Sequence, residues 1–111
     1  MFVWIRGALG YAPELLGRVD LLAAGERIAY LGEPRDFSCL PGVEVLDASG
    51  ALMLPGFVDN HVHILGGGGE GGPRTRTPEL ALEDLIRGGI TTVVGALGTD
   101  DVTRSPAALV A

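Results

Sequence analysis

A chain of 111 residues, nearly half apolar and a fifth charged, has room for one modest folded domain and does not read as disordered. A net charge of −6 with no Lys/Arg cluster excludes the basic patches that hold nucleic acid or an anionic membrane surface. The single cysteine, Cys39, excludes an internal disulfide; it reads as a small half-buried hydrophobe and points to a reducing, cytoplasmic setting.

In chain order, Met1 to Gly10 has no basic residue ahead of its apolar stretch and no adequate hydrophobic region, so it does not read as a signal peptide. No apolar run approaches the roughly 18 residues of a membrane span. Val19–Ala23 and Arg27–Leu31 are apolar-rich runs that meet at Gly25-Glu26, the pattern of a hairpin. Val43–Leu46 forms a further short strand, entered through Pro41-Gly42. Asp47-Ala48-Ser49-Gly50 then supplies turn chemistry, with side chains that bond their own backbone. This half is expected to be a small antiparallel sheet with a structural role.

Leu54-Pro55-Gly56 breaks the chain, and its character changes. Phe57–Ile64 reads as a strand and Gly66–Gly72 as a glycine-rich loop. Thr77-Pro78-Glu79 has the form of a helix start: a hydroxyl cap, a proline where no N–H is needed, and an acid near the positive end of the dipole. Leu82, Leu85 and Ile86 give the apolar stripe, and Gly88-Gly89 the stop. Ile90–Leu97, rich in β-branched residues, is expected to be a strand buried on both faces. A loop from Gly98 to Arg104 leads to Ser105-Pro106, a second cap-plus-proline helix start. Strand, helix, strand and helix start make a βαβα pattern, which implies a parallel sheet or barrel.

His61 and His63 carry the chemistry. Residues two apart in a strand share a face, so Phe57, Asp59, His61 and His63 lie on one side. Two imidazoles there lie close enough to hold one metal ion, and they fall at the C-terminal end of the strand, where barrel enzymes keep their active sites. The bland alternative is a pair of histidines on a solvated strand end. The four glycines Gly66–Gly69 let backbone fold tightly against a ligand, and Glu70 beside them is suited to pair with an ammonium. The loop is not a phosphate-binding P-loop, because no Gly-Lys-Ser/Thr follows it. Arg74 and Arg76 are read as solvated charges.

Val45-Leu46-Asp47-Ala48-Ser49-Gly50 followed by Leu54-Pro55-Gly56-Phe57-Val58-Asp59-Asn60-His61-Val62-His63 resembles the opening signature of the amidohydrolase superfamily. The loop Gly66–Glu79, together with Gly95-Ala96-Leu97-Gly98-Thr99-Asp100, resembles isoaspartyl (β-aspartyl) dipeptidases more narrowly. The resemblance covers nearly the whole chain. It implies a mixed fold: a β-sandwich segment over 1–53, then over 54–111 the first βαβ(α) units of an incomplete (β/α)8 TIM-type barrel. It implies a binuclear zinc site to which His61 and His63 contribute, and a small β-aspartyl dipeptide substrate met by Gly68, Glu70 and Thr99, with Glu70 on its α-amino group. It also implies that the complete enzyme is a homo-oligomer. The family's carboxylated lysine, further histidines and proton-shuttling aspartate lie on later strands; this chain has no lysine and no third histidine. A catalytic zinc generally needs three protein ligands, and a closed barrel takes about 250 residues. The chain is therefore expected to be an N-terminal portion, catalytically silent by itself. The alternatives are a dihydroorotase-like or N-acyl-amino-acid deacylase-like enzyme, and a non-enzymatic β-rich module.

Overall fold

A computed structural model describes residues 1–98 and 105–110. The chain divides into two compact units, Met1–Pro55 and Gly56–Ala111.

The first unit is one five-stranded sheet. Strands β1 (Phe2–Tyr11), β2 (Leu15–Ala24) and β3 (Arg27–Gly32) run antiparallel as a meander. Strands β4 (Val43–Asp47) and β5 (Leu52–Met53) both add to the free edge of β1, parallel to it. The sheet is therefore mixed, where the hairpin signals alone predict an antiparallel one. The segment from Glu33 to Gly42 carries the chain back across the sheet, so that β4 enters in the direction of β1. Sequence reading also leaves Phe2–Tyr11 without an assignment, and it is the central strand. Its missing alternation comes from a bulge between Ile5 and Ala8, where Gly7 takes a φ of +75°.

The core of this unit is small: Trp4, Ala8, Val19 and Leu22 are its buried apolar residues. Trp4 and Leu22 are register partners, so they stand side by side on one sheet face. The Phe37 ring closes over Trp4 edge-on at 5.8 Å and meets Tyr30 at 5.2 Å. Beneath them Asp20 is buried and fully bonded. It accepts from the Trp4 indole N–H (2.9 Å), the Gly7 N–H (2.9 Å) and the Arg35 N–H (3.1 Å). Burial pushes its carboxyl up, but these three donors outweigh that and hold it below its ordinary range.

The second unit pairs β6 (Phe57–Val62) with β7 (Ile90–Gly95) in parallel, with the short helix α1 (Leu82–Arg87) between them and packed on β7. This is the βαβ unit the sequence predicts. Its helix begins later than expected. Ala81, not Thr77, is the N-cap and is extended, and residues 78–80 form no regular structure, with the Leu80 N–H on the Ile64 carbonyl at 3.0 Å. Thr77 is unavailable as a cap because its hydroxyl is engaged by the glycine loop. Helix α2 (Pro106–Val110) does begin as predicted: the Ser105 hydroxyl accepts the Ala108 N–H at 3.2 Å, with Pro106 in the first turn.

Strand β7 is half-buried to exposed rather than covered on both faces, and Leu82 and Ile86 of α1 face outward. Two strands and one short helix present more apolar surface than they can cover; among the described residues of this unit, Val62 is the buried large apolar one. No helix among the described residues is long and apolar enough to cross a membrane.

Candidate metal centre

Both histidines lie at the C-terminal end of β6. His61 is exposed and His63, one residue past the strand, is half-buried. Their rings meet edge to face, with centroids 5.1 Å apart and planes at 87°. The structure thus brings together the two imidazoles that the His-x-His spacing places on one face.

The His63 ring is oriented by a contact to backbone, and the His61 backbone is held by a side chain. The Nδ1–H of His63 donates to the Ala96 carbonyl at 3.1 Å, immediately beyond β7. A carbonyl can only accept, so this bond requires the proton on Nδ1 and leaves the Nε2 lone pair available to a metal. The other contact comes from Asp59, which is half-buried. Its Oδ1 accepts the His61 N–H at 3.1 Å, so it braces the strand end and does not stand as a third ligand. Among the described residues, no group of three or more His, Cys, Asp or Glu side chains is placed to hold a metal ion. A pair of imidazoles suits two positions of a nitrogen-preferring ion such as zinc.

The glycine loop begins against the same ring. A Cβ at Gly67 would lie 3.5 Å from His63 Cδ2, so the loop backbone passes within van der Waals reach of the ring. The loop is then closed by Thr77. Its Oγ1 accepts the Gly67 N–H at 2.6 Å and lies 3.2 Å from the Gly67 carbonyl, while its own N–H donates to that carbonyl at 2.9 Å. Gly68 pairs with Arg76 as an isolated bridge, at a φ of +68°. A Cβ on it would sit 2.5 Å from the Thr75 carbonyl, so this position requires glycine. Glu70 is exposed in the middle of the loop. Thr99 lies outside the described residues.

Sequence reading missed two parts of this arrangement: the Ala96 carbonyl that aims His63 and the Thr77 tie. Thr77 carried a signal but the wrong one, since a threonine before proline is the ordinary mark of a helix cap. Ala96 carried none, because any residue presents the same carbonyl.

A model of the amidohydrolase family matches residues 44–102, just over half of the chain, from β4 through both histidines and past β7. The chain belongs to the amidohydrolase family. Its fold is similar to that of a β-aspartyl dipeptidase from Fervidobacterium islandicum AW-1, solved in complex with a β-Asp-Leu dipeptide. That similarity has a TM-score of 0.87 and 50% identity over 99% of this chain and 29% of that one. A dihydroorotase of Mycobacterium tuberculosis is 36% identical over 106 residues, covering 96% of this chain and 23% of its own length. An N-acyl-D-aspartate deacylase of Alcaligenes xylosoxydans xylosoxydans is 41% identical over 75 residues, covering 68% of this chain and 13% of its own length. The chain thus spans less than a third of each relative. Its mixed fold matches the β-sandwich segment and first βαβ elements of amidohydrolase enzymes, and the family is one of hydrolases.

Proposed function

We propose that this amidohydrolase chain is the N-terminal part of a zinc-dependent β-aspartyl dipeptidase, with residues 1–53 as the sandwich segment and 54–111 as the start of the barrel. The observation that carries the reading is the 50% identity to the Fervidobacterium islandicum enzyme, which extends over 99% of the chain and so includes the glycine loop. His61 and His63 would be two of the metal's ligands, with His63 aimed through its bond to Ala96. When bound, zinc supplies a water acidic enough to ionise near neutral pH and polarises the scissile carbonyl. Glu70 would accept the α-ammonium of the dipeptide, a contact that gains strength as the pocket excludes water. Gly68 and Thr99 would line the same substrate. The exposed apolar residues of α1 and β7 fit a unit that further barrel elements cover. Two imidazoles fall short of the three protein ligands a catalytic zinc generally needs, so the 111 residues alone should not turn over substrate. The cytoplasm and a homo-oligomeric complete enzyme belong to the same reading.

Dihydroorotase is the second reading, favoured by the 96% coverage of this chain in the Mycobacterium tuberculosis match. One experiment separates the two. Residues 1–111 are grafted in place of the matched segment of the Fervidobacterium islandicum dipeptidase, and the chimera is assayed on β-Asp-Leu and on dihydroorotate. Zinc-dependent cleavage of the dipeptide, lost in His61→Ala and sharply reduced in Glu70→Ala, supports the dipeptidase reading. A folded chimera that ignores β-Asp-Leu would sink it.

A further inference from the structure

We propose that the sheet unit Met1–Pro55 carries a second site, for a small oxyanion of the carboxylate or phosphate class, held by the guanidinium groups of Arg18 and Arg35. This site rests on the first unit alone and is independent of the metal and dipeptide reading.

An open recess of about 450 Å³ lies over the Trp4 face of the sheet. Trp4, Gly7 and Asp20 line it together with Arg6, Arg18 and Arg35. In β2, Arg18 and Asp20 are two residues apart and so share that face. Three aspartates also border the recess, yet each is already engaged. Asp20 is occupied by its three N–H donors. Asp47 accepts the Arg6 guanidinium at 3.0 Å and the Ser49 N–H at 3.0 Å. Asp36 accepts the Ser38 N–H at 2.8 Å. Asp20 thus turns its oxygens into the protein. The exposed Asp47 places one oxygen on Arg6 and the other on Ser49, and the exposed Asp36 places Oδ1 on Ser38. Among the described residues, Arg6 is the one guanidinium ion-paired with them.

Arg18 and Arg35 are left without a carboxylate partner among the described residues. Arg35 is nevertheless held in place. Its guanidinium stands 5.9 Å from the ring centroids of both Tyr30 and Phe37, which fixes the group without cancelling its charge. Its own N–H is tied to Asp20, the residue that also anchors Trp4 and Gly7. A guanidinium is a planar fork of donors that matches the paired oxygens of a carboxylate or phosphate. Two such forks over one recess, one of them pre-positioned on aromatic rings, make a receptor for a small anion.

Trp4 is the only tryptophan of the chain and lies in the recess, so it reports occupancy directly. The 111-residue chain is titrated with inorganic phosphate and, separately, with succinate, sodium chloride keeping the ionic strength constant, and Trp4 emission is followed. The expected result is a saturable change with one of the two anions, weakened about tenfold or more in Arg18→Ala and in Arg35→Ala. Arg18→Gln, closer in length, should show the same loss if alanine disturbs the sheet. Saturation by phosphate assigns a phosphate-bearing ligand; saturation by succinate assigns a carboxylate. A response to neither anion overturns the site, as does a saturable response that the arginine variants leave unchanged.

Discussion

His63 and Ala96, 33 residues apart in sequence, meet where strands β6 and β7 end, with the imidazole Nδ1–H on the Ala96 carbonyl at 3.1 Å. The parallel pairing that sets Val62 opposite Gly95 delivers this contact, since each partner lies one residue beyond a paired position. The bond requires the proton on Nδ1 and keeps Nε2 out of this contact.

Nitrogen-15 NMR of the histidine rings at pH 8 should accordingly find His63 as the Nδ1-protonated tautomer. Added zinc should then perturb its Nε2 signal before its Nδ1 signal. A ring protonated on Nε2 would contradict the orientation described.

Zinc binding itself should need both rings. Calorimetric titration of the chain is expected to show one-to-one binding that weakens at least tenfold in His61→Ala and in His63→Ala, since losing a ligand costs no less than losing a ligand's hydrogen-bond partner. Asp59→Asn, which keeps an oxygen for the His61 N–H, should change affinity far less.

The glycine loop should loosen when its tie is cut. Thr77→Val removes the hydroxyl that accepts the Gly67 N–H, so amide exchange at Gly67 should accelerate, whereas Thr77→Ser should stay close to the parent. Gly68→Ala forces a Cβ against the Thr75 carbonyl in a left-handed conformation, a strain on the order of 1–3 kcal/mol. Faster proteolytic cleavage within residues 66–77 of that variant is the readout.

Asp20 should be the least replaceable polar residue of the sheet unit. Asparagine can present an amide NH2 where three N–H donors now point, and each bond to the charged form contributes about 1.5–3 kcal/mol. Urea denaturation followed through Trp4 should show Asp20→Asn destabilised by about 2 kcal/mol or more. An unchanged midpoint would mean that the buried carboxylate is dispensable.

Acid should weaken the same unit through Asp47. Hydrogen bonds from the Ser49 side chain and N–H, together with Arg6, hold its carboxyl at about 2 in the folded chain. In the unfolded chain the group protonates near 3.9, so the unfolded state takes up the proton first. The stability it contributes is therefore complete above about pH 4 and is lost as pH falls toward about 2. Asp20, also held below its ordinary range, acts in the same direction. Denaturation midpoints measured at pH 5, 3.5 and 2.5 should fall less steeply in Asp47→Asn than in the parent chain.

What could be read from the residues alone follows a physical division. The hairpin at Gly25-Glu26, the βαβ alternation, the Ser105-Pro106 helix start and the pairing of His61 with His63 all depend on chain-local rules. Turn chemistry, side-chain period and cap geometry act over a few residues, and the structure places each of these as expected. Thr77-Pro78-Glu79 failed as a helix start although the local rule was satisfied, because a hydroxyl makes few bonds at once and the loop took this one first.

The sequence by itself therefore determined the hairpin, the βαβ order of the second unit, the approach of His61 to His63 at the strand end and the glycine-rich character of the loop. Only the tertiary structure decided that Phe2–Tyr11 is the central strand, that β4 and β5 join it in parallel, and that Asp20 collects donors from Trp4, Gly7 and Arg35. It also decided that Ala96 aims His63. The reason is the same in each case: the partners are separated by 13 to 43 residues, and strand register brings them together where no local preference can.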